Sequence, residues 1–345
     1  MKCFEIGAQA GIDSLVAAER PDPIPGPGEA VLRVRAACLN HRDLLIMAGR
    51  YGARRPASRI PLSDGIGEVV ALGPAVAGRA PTGIKIGDRA ICGHFVSWID
   101  GAFSPAVFAV DVGVTLDGWL AEHIVVPAAA LVPVPASLSD ARAVALGAAG
   151  LTAWQAVVEV GRVKAGDLVL ALGTGGVAIF ALQLAKLHGA RVAITSSTDA
   201  KLDFARRLGA DILINYRDNP DWAAALVAAS GGQGADIVVE TGGLATLSQS
   251  ITAAAPNGRL VMIGALAGVA DQVLPNFSSV IGKNLTLRGI TAGNRRMLAE
   301  LVGAAAACEL VPVIDRVFAF ADAPAAYAHL RSGEHIGKVM IEMGS

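Results

Sequence analysis

Apolar and polar positions change their period near residue 165. Beyond that point, short apolar runs alternate with segments in which apolar residues recur at helical spacing. The apolar runs lie at 168–172, 191–195, 212–214, 236–240, 259–263 and 286–290, and the helical patterns lie at 178–188, 200–208, 222–229 and 244–254. The uniformly apolar first run is typical of a strand buried on both faces. We therefore predict an α/β fold with a doubly wound parallel sheet of six strands and helices on both faces.

The chain before residue 130 shows short strand-like segments separated by proline and glycine. These segments lie at 30–36, 67–73, 88–93 and 121–126. Such punctuation predicts an irregular, barrel-like β domain. Residues 95–114 have no clear period, so we expect an extended surface loop, for which a functional and a merely decorative role are equally open. A helix at 294–308 and a strand at 338–342 are predicted near the end of the chain.

Composition narrows the class of protein. The 345 residues exceed the usual size of a single core, and 53% hydrophobic against 17% charged residues exclude a disordered chain. A net charge of −1 without a long Lys/Arg run gives no indication of nucleic-acid binding. Scattered cysteines and a start without signal-peptide character favour a cytoplasmic protein. The uncharged stretch 168–185 is interrupted by glycines, which favours a strand, turn and helix over a membrane span.

A glycine-rich turn follows the first strand of the regular region. Residues 173–178 read GTGGVA and fit the pattern G-x-G-x-x-G/A between a strand and a helix. Gly173 permits the tight turn, Gly175 lets the backbone approach a pyrophosphate, and the helix N-terminus offers free N–H groups. The predicted cofactor contacts here are Gly173, Thr174, Gly175, Gly176 and Val177.

The end of the second strand decides which dinucleotide is preferred. An acidic residue there would bind the ribose hydroxyls and repel a 2′-phosphate. Ser196 and Ser197 stand there instead, and Lys201 follows as a phosphate partner. We interpret Asp199 as a residue that stabilises the next helix N-terminus. The sequence therefore predicts NADP(H).

Several motifs together resemble one family. They are LNHRD at 39–43, DGIGEVV at 64–70, GDR at 87–89, AGLTAW at 149–154, the turn at 173–178, LGAD at 208–211 and GKV at 337–339. This set is similar to the medium-chain dehydrogenase/reductase superfamily, which includes zinc alcohol dehydrogenases and zinc-free quinone oxidoreductases.

The resemblance implies a division into domains and further cofactor contacts. A GroES-like β-barrel catalytic domain is expected from residues 1–130, completed by 295–345, with a Rossmann dinucleotide-binding domain at 131–294. A homodimer or homotetramer is also implied. The additional cofactor-binding residues are expected to be Thr152, Tyr216, Gly242, Gly264 and Lys338, the last at the phosphates.

The zinc ligands of the alcohol dehydrogenases have no counterpart in this chain. The resemblance places Asn40, the pair Ser63–Asp64 and Ala148 where those enzymes carry Cys, His–Glu and Cys, so we assign no metal. Without a Lewis acid, conjugated carbonyls accept hydride more readily than simple aldehydes do. We predict NADPH-dependent reduction of a quinone or an α,β-unsaturated carbonyl, with Asn40 and Tyr51 as candidate catalytic donors.

Two other functions remain open at this point. One is a zinc-independent alcohol dehydrogenase or aldehyde reductase. The other is a non-catalytic NADP(H)-binding module, which the fold alone does not exclude.

Overall fold

The computed structural model describes residues 1–76, 83–264, 276–308 and 310–344. The strands are β1 (Lys2–Glu5), β2 (Val16–Glu19), β3 (Glu29–Leu39), β4 (Asp64–Leu72), β5 (Arg89–Ile91), β6 (His123–Pro127), β7 (Val132–Pro133), β8 (Leu168–Leu172), β9 (Arg191–Ser196), β10 (Ile212–Asn215), β11 (Ala235–Glu240), β12 (Ala254–Met262), β13 (Thr286–Gly289), β14 (Ile314–Ala319) and β15 (Lys338–Glu342). The helices are α1 (His41–Met47), α2 (Asp140–Val144), α3 (Leu151–Trp154), α4 (Gly176–Leu187), α5 (Asp199–Arg207), α6 (Trp222–Ala229), α7 (Leu244–Ala253), α8 (Phe277–Gly282), α9 (Arg295–Ala307) and α10 (Ala323–Ser332). None of the helices in these ranges is long and apolar enough to cross a membrane.

The chain forms two compact units. One comprises Met1–Leu151 with Gly293–Ser345, and the other is Thr152–Ala292. The first boundary lies later than the predicted 130/131, because β7 pairs with β5 and α2 packs on β3 and β4. Residues 131–151 therefore lie with the first unit.

A mostly antiparallel sheet organises the first unit. Its strand order is β14-β15-β3-β4-β5-β7, with β6 also pairing with β3. The long strand β3 has β4 on one side, while β6 and β15 share its other side at opposite ends. Register shifts between Val31 and Leu32 and between Val34 and Ala36 bend this strand, so it can serve three partners.

The loop prediction for residues 95–114 is wrong in one respect. The region lacks a long strand, but Val96, Val112 and Val114 are buried in the core of the first unit. Edge-to-face contacts of Phe95 with Phe108, at 5.4 Å between ring centroids, also hold it together. Irregular backbone hides the periodicity of a buried segment, which is why the sequence pattern suggested surface.

The second unit confirms the predicted parallel sheet of six strands. The order is β10-β9-β8-β11-β12-β13, and every neighbouring pair is parallel. The right-handed crossovers of this order place α4 and α5 on one face and α6 and α7 on the other. All five residues of β8 are buried, as its uninterrupted apolar run predicts. Strand β13 forms one edge of the sheet. The predicted homodimer or homotetramer stays a prediction.

Gly65 offers a test of the packing in the first unit. A Cβ built on Gly65 would lie 2.1 Å from the fully buried indole of Trp119, so an added methyl group would force the backbone or the indole to shift. We expect Gly65→Ala to destabilise the protein by about 1–3 kcal/mol. Gly303→Ala is the matched control, because its Cβ meets nothing within 4 Å on an exposed face of α9 and it should stabilise by about 0.5–1 kcal/mol. Thermal melting followed by circular dichroism measures both, and equal melting temperatures would contradict this packing argument.

Candidate active site

The glycine-rich turn lies where the sequence predicts it, between β8 and α4. Gly173 has φ +79°, a left-handed conformation that favours glycine, and its N–H donates to Thr195 O at 2.9 Å. A Cβ on Gly173 or Gly175 would meet no atom within 4 Å. No side chain caps the N-terminus of α4 at Gly175. The turn therefore combines open space beside the backbone with the uncapped positive end of a helix, which suits a pyrophosphate.

The carboxyl end of β11 is held by a buried carboxylate. Glu240 Oε1 accepts hydrogen bonds from the N–H groups of Gly242 and Gly243 at 2.7 and 3.0 Å and from Thr246 Oγ1 at 2.6 Å. The Gly264 N–H donates to Glu240 O at 3.1 Å. These bonds fix the predicted contacts Gly242 and Gly264 at the same sheet edge as Gly173. The sequence analysis missed Glu240, although an acid directly before a Thr-Gly-Gly turn is a recognisable signal.

The end of β9 differs slightly from the prediction. The strand continues through Ser196, whose side chain is buried, so Ser197 is the first residue beyond it. Asp199 begins α5, and its Oδ1 accepts from Asn215 Nδ2 at 2.9 Å. Its place in the first turn of α5 is the one that we assigned to the aspartate, and its bond to Asn215 is an additional contact.

Apart from Lys338, the remaining predicted cofactor contacts also lie in the second unit. Lys201 lies in the first turn of α5, and Tyr216 directly follows β10 with 42% of its surface exposed. Thr152 is buried within α3. Tyr216 and Ser197 share the carboxyl edge of the sheet with the glycine-rich turn, because both follow strands parallel to β8.

A buried polar cluster joins three strands of the first unit. The Lys338 Nζ donates to Leu39 O at 2.7 Å and to Asn40 Oδ1 at 2.5 Å, and it lies 3.3 Å from Asp64 Oδ2. The same carboxylate oxygen accepts from Asn40 Nδ2 at 2.9 Å. Lys338 is 3% exposed and Asp64 is fully buried. A cation and an anion are thus paired in the interior, with one amide side chain bonded to both.

This geometry does not support the phosphate-binding role predicted for Lys338. An ammonium group has three protons, and in the structure all three have protein acceptors. These contacts tie Lys338 to the ends of β3 and β4 within the first unit.

A second ionic cluster lies beside Tyr51, and sequence reasoning missed it. Arg42 Nη2 donates to Asp111 Oδ2 at 2.7 Å, and His94 Nδ1 lies 2.9 Å from Asp111 Oδ1 and also contacts Arg42. Burial lowers the pKa of His94, and the Arg42 charge adds to the effect. Burial works against ionisation of Asp111, but His94 and Arg42 together lower the pKa of its carboxyl.

Tyr51 packs against this cluster. The Arg42 guanidinium carbon lies 4.9 Å from the centroid of the Tyr51 ring. Burial raises the pKa of the Tyr51 hydroxyl, and the Arg42 charge opposes the rise without cancelling it. Tyr51 is therefore protonated at neutral pH and can donate a hydrogen bond.

Asp43 is a buried acid next to the Asn40 backbone. Its Oδ2 accepts from the Asn40 N–H at 2.7 Å, and Ser63 Oγ donates more weakly to its Oδ1 at 3.4 Å. Burial raises the pKa of the Asp43 carboxyl to about 6, although the neighbouring Arg42 opposes this shift. The carboxylate thus ties the end of β3 to the start of α1.

The side chains at the expected zinc positions differ in kind from the zinc ligands of the alcohol dehydrogenases. Asn40 bonds Asp64 and Lys338, Ser63 bonds Asp43, and Ala148 carries no donor atom. Burial raises the pKa of the Cys38 and Cys92 thiols to about 12. Within the described ranges, no three His, Cys, Asp or Glu side chains are grouped so that they could hold a metal.

Family models and relatives match both units. The alcohol dehydrogenase GroES-like domain matches residues 26–136, and the zinc-binding dehydrogenase domain matches residues 176–307. A zinc-type alcohol dehydrogenase-like protein of Schizosaccharomyces pombe is 39% identical over 97% of this chain and 96% of its own length. The chain belongs to the medium-chain dehydrogenase/reductase superfamily. Since its relatives are dehydrogenases and reductases, it is a nicotinamide-dependent oxidoreductase, and the alternative of a non-catalytic module falls away.

Solved structures of this superfamily agree with the fold. A putative alcohol dehydrogenase from Sinorhizobium meliloti 1021 has a TM-score of 0.89 and 40% identity over 99% of this chain and 98% of its own. An NAD-dependent alcohol dehydrogenase gives a TM-score of 0.88 with 33% identity over the full length of both chains. A mycobacterial protein in complex with NADPH gives 0.82 with 25% identity over 99% of both chains. The six-strand and GroES-like parts of the predicted fold are confirmed.

The Asp43 carboxyl predicts a pH-dependent stability. Because its pKa of about 6 in the folded protein exceeds the ordinary 3.8, the folded state binds the proton more tightly than the unfolded state. The resulting stabilisation is present below about pH 4 and is lost as pH rises through about 6. We expect Asp43→Asn, which stays neutral, to gain about 3 kcal/mol relative to wild type between pH 4 and 7.

Denaturant unfolding at several pH values measures this difference. Asp13→Asn is the control, because Asp13 is exposed at the surface of the first unit. A stability difference for Asp43→Asn that stays constant across the pH range would contradict the raised pKa.

Proposed function

We propose that this oxidoreductase uses NADPH, without zinc, to reduce a quinone or an α,β-unsaturated carbonyl compound. The observation that carries the proposal is the Asn40 side chain. It stands where zinc relatives have a cysteine ligand, and it is bonded to Asp64 and Lys338. A neutral amide held between two charges can donate a hydrogen bond and is not among the side chains that usually ligate zinc.

The side chains of the first unit suit a conjugated acceptor. When bound, the reduced nicotinamide supplies a hydride. A quinone or enone that accepts hydride at carbon passes negative charge to its oxygen, and a fixed N–H or O–H donor stabilises that charge. Asn40 has an amide proton to spare after its bond to Asp64, and Tyr51 retains its hydroxyl proton. We assign these two side chains the role of donors to the acceptor oxygen.

The preference for NADPH rests on the end of β9. Ser196 and Ser197 leave this strand end without an acid, and the Asp199 carboxylate is engaged by Asn215. Lys201 follows on α5 within two residues of Asp199. Hydroxyl groups and a nearby ammonium favour a 2′-phosphate over free ribose hydroxyls. The NADPH complex of the mycobacterial neighbour supports this proposal.

A zinc-independent alcohol dehydrogenase or aldehyde reductase is the second candidate. The similarity to alcohol dehydrogenases, one of them described as NAD-dependent, favours it. The two candidates differ in their acceptors, since a simple aldehyde lacks the conjugation that spreads the incoming charge. A direct comparison of substrates therefore separates them.

The cofactor preference can be measured without any substrate. We expect NADPH to bind at least about tenfold more tightly than NADH, and Lys201→Met to weaken NADPH about tenfold while leaving NADH unchanged. Quenching of protein fluorescence at fixed ionic strength gives the dissociation constants. Lys164→Met is the control, since Lys164 is 73% exposed and pairs with Asp167. Equal affinity for the two cofactors would refute the assignment.

Comparing turnover with different acceptors identifies the acceptor class. NADPH oxidation is followed with quinones, enones and simple aldehydes, each with and without a chelator. We expect quinones or enones to be reduced with no effect of the chelator, and both Asn40→Ala and Tyr51→Phe to lower kcat by about 100-fold. Turnover of simple aldehydes alone, abolished by the chelator, would show that the protein is a metal-dependent alcohol dehydrogenase.

A further inference from the structure

We infer that Lys338 and Asp64 act as positioning residues that fix which end of the Asn40 amide faces the acceptor. The inference rests on the proposed function and gives the Lys338 and Asp64 charges a part in it. In this role neither Lys338 nor Asp64 touches the acceptor. Their task is to keep the Asn40 carbonyl oxygen turned inward and one amide N–H available for the acceptor oxygen.

The geometry gives each end of the amide a partner of the opposite kind. Asn40 Oδ1 accepts from Lys338 Nζ at 2.5 Å, and Asn40 Nδ2 donates to Asp64 Oδ2 at 2.9 Å. Rotating the amide by half a turn would place its oxygen against the Asp64 carboxylate and its NH₂ group against the Lys338 ammonium. Both contacts would become repulsive, so the two charges select one orientation.

Burial makes this selection strong. Lys338 is 3% exposed and Asp64 is 0% exposed, so water does not screen either charge. The ammonium is further held by Leu39 O at 2.7 Å. A Cβ on Gly147 would lie 2.7 Å from Asp64 Oδ1, which shows how closely the backbone covers the carboxylate.

One amide proton of Asn40 is left over. The NH₂ group has two protons, and in the described part of the chain the only recorded acceptor for Nδ2 is Asp64. Asn40 is itself half-buried at the end of β3, so this second proton lies at the edge of the buried cluster. A donor with fixed direction needs no reorganisation when charge develops on an acceptor oxygen.

The double variant Lys338→Met/Asp64→Asn tests the inference. It removes both charges together, because removing one would leave the other buried without a partner. We expect kcat for quinone or enone reduction to fall by about 100-fold, with the dissociation constant of NADPH unchanged within about twofold. Lys338→Arg keeps the positive charge and should retain more activity than the double variant. Lys85→Met, at an exposed lysine of the same unit, controls for loss of a positive charge and should leave kcat unchanged.

The binding measurement separates this role from phosphate binding. A tenfold or larger rise in the NADPH dissociation constant, with kcat at saturating NADPH unchanged, would mean that Lys338 binds the cofactor and would overturn the inference. Unchanged kcat and unchanged NADPH affinity would overturn it as well. Thermal melting confirms that each variant is folded before it is assayed.

Nuclear magnetic resonance of the Asn40 amide gives a readout that does not depend on turnover or on the folding of the double variant. In ¹⁵N-labelled protein, the two amide protons of Asn40 are identified by their loss in Asn40→Ala. We expect one proton to be shifted downfield by the carboxylate, and the other to shift when cyclohexanone is added with NADP⁺. Absence of the carboxylate-shifted proton in wild type would overturn the inference. If wild type reduces no quinone or enone but the downfield proton is present, the proposed function fails while the fixed orientation of the amide stands.

Discussion

The buried ion pair between Lys338 and Asp64 is the contact on which the first unit depends. Lys338 begins β15, Asp64 begins β4, and their shared partner Asn40 follows the end of β3. Two charges leave water only if each finds compensation, and here Asn40 bonds both groups while Leu39 O accepts a further bond from Lys338. The pair therefore fixes three strand ends at one point, and it joins residues separated by 274 positions along the chain.

The second unit is organised by its carboxyl sheet edge in the same way. Glu240 binds the turn that follows β11, and Thr241 Oγ1 donates to Leu172 O at 3.1 Å, directly before the glycine-rich turn. Neighbouring strand ends are thus connected by short polar bonds. Such a rigid edge can present backbone N–H groups to a dinucleotide at constant spacing, which agrees with the nicotinamide dependence of the superfamily.

The region 95–114 is held in place by side-chain contacts and not by strand pairing. It has little regular backbone pairing, yet its Asp111 and the adjacent His94 bind Arg42 of α1, and its aromatic rings pack edge to face. The aromatic contacts lie within the region, whereas the ionic contacts join residues far apart in sequence. Because Arg42 also packs on the Tyr51 ring, the same cluster supports a candidate donor.

The sequence by itself determined the features that depend on residues close together in the chain. The six parallel strands, the turn at Gly173 and the absence of zinc-ligand residue types at positions 40, 63 and 148 are all readable from period and residue identity. Only the tertiary structure decided which groups bind Lys338, the burial of both ends of residues 95–114 and the later end of the first unit. A charged side chain reads as solvated until its partners are known, and the partners of Lys338 lie on two other strands. Contacts between residues far apart in the chain leave no periodic pattern in the sequence. This is the physical reason why these features could not be predicted from it.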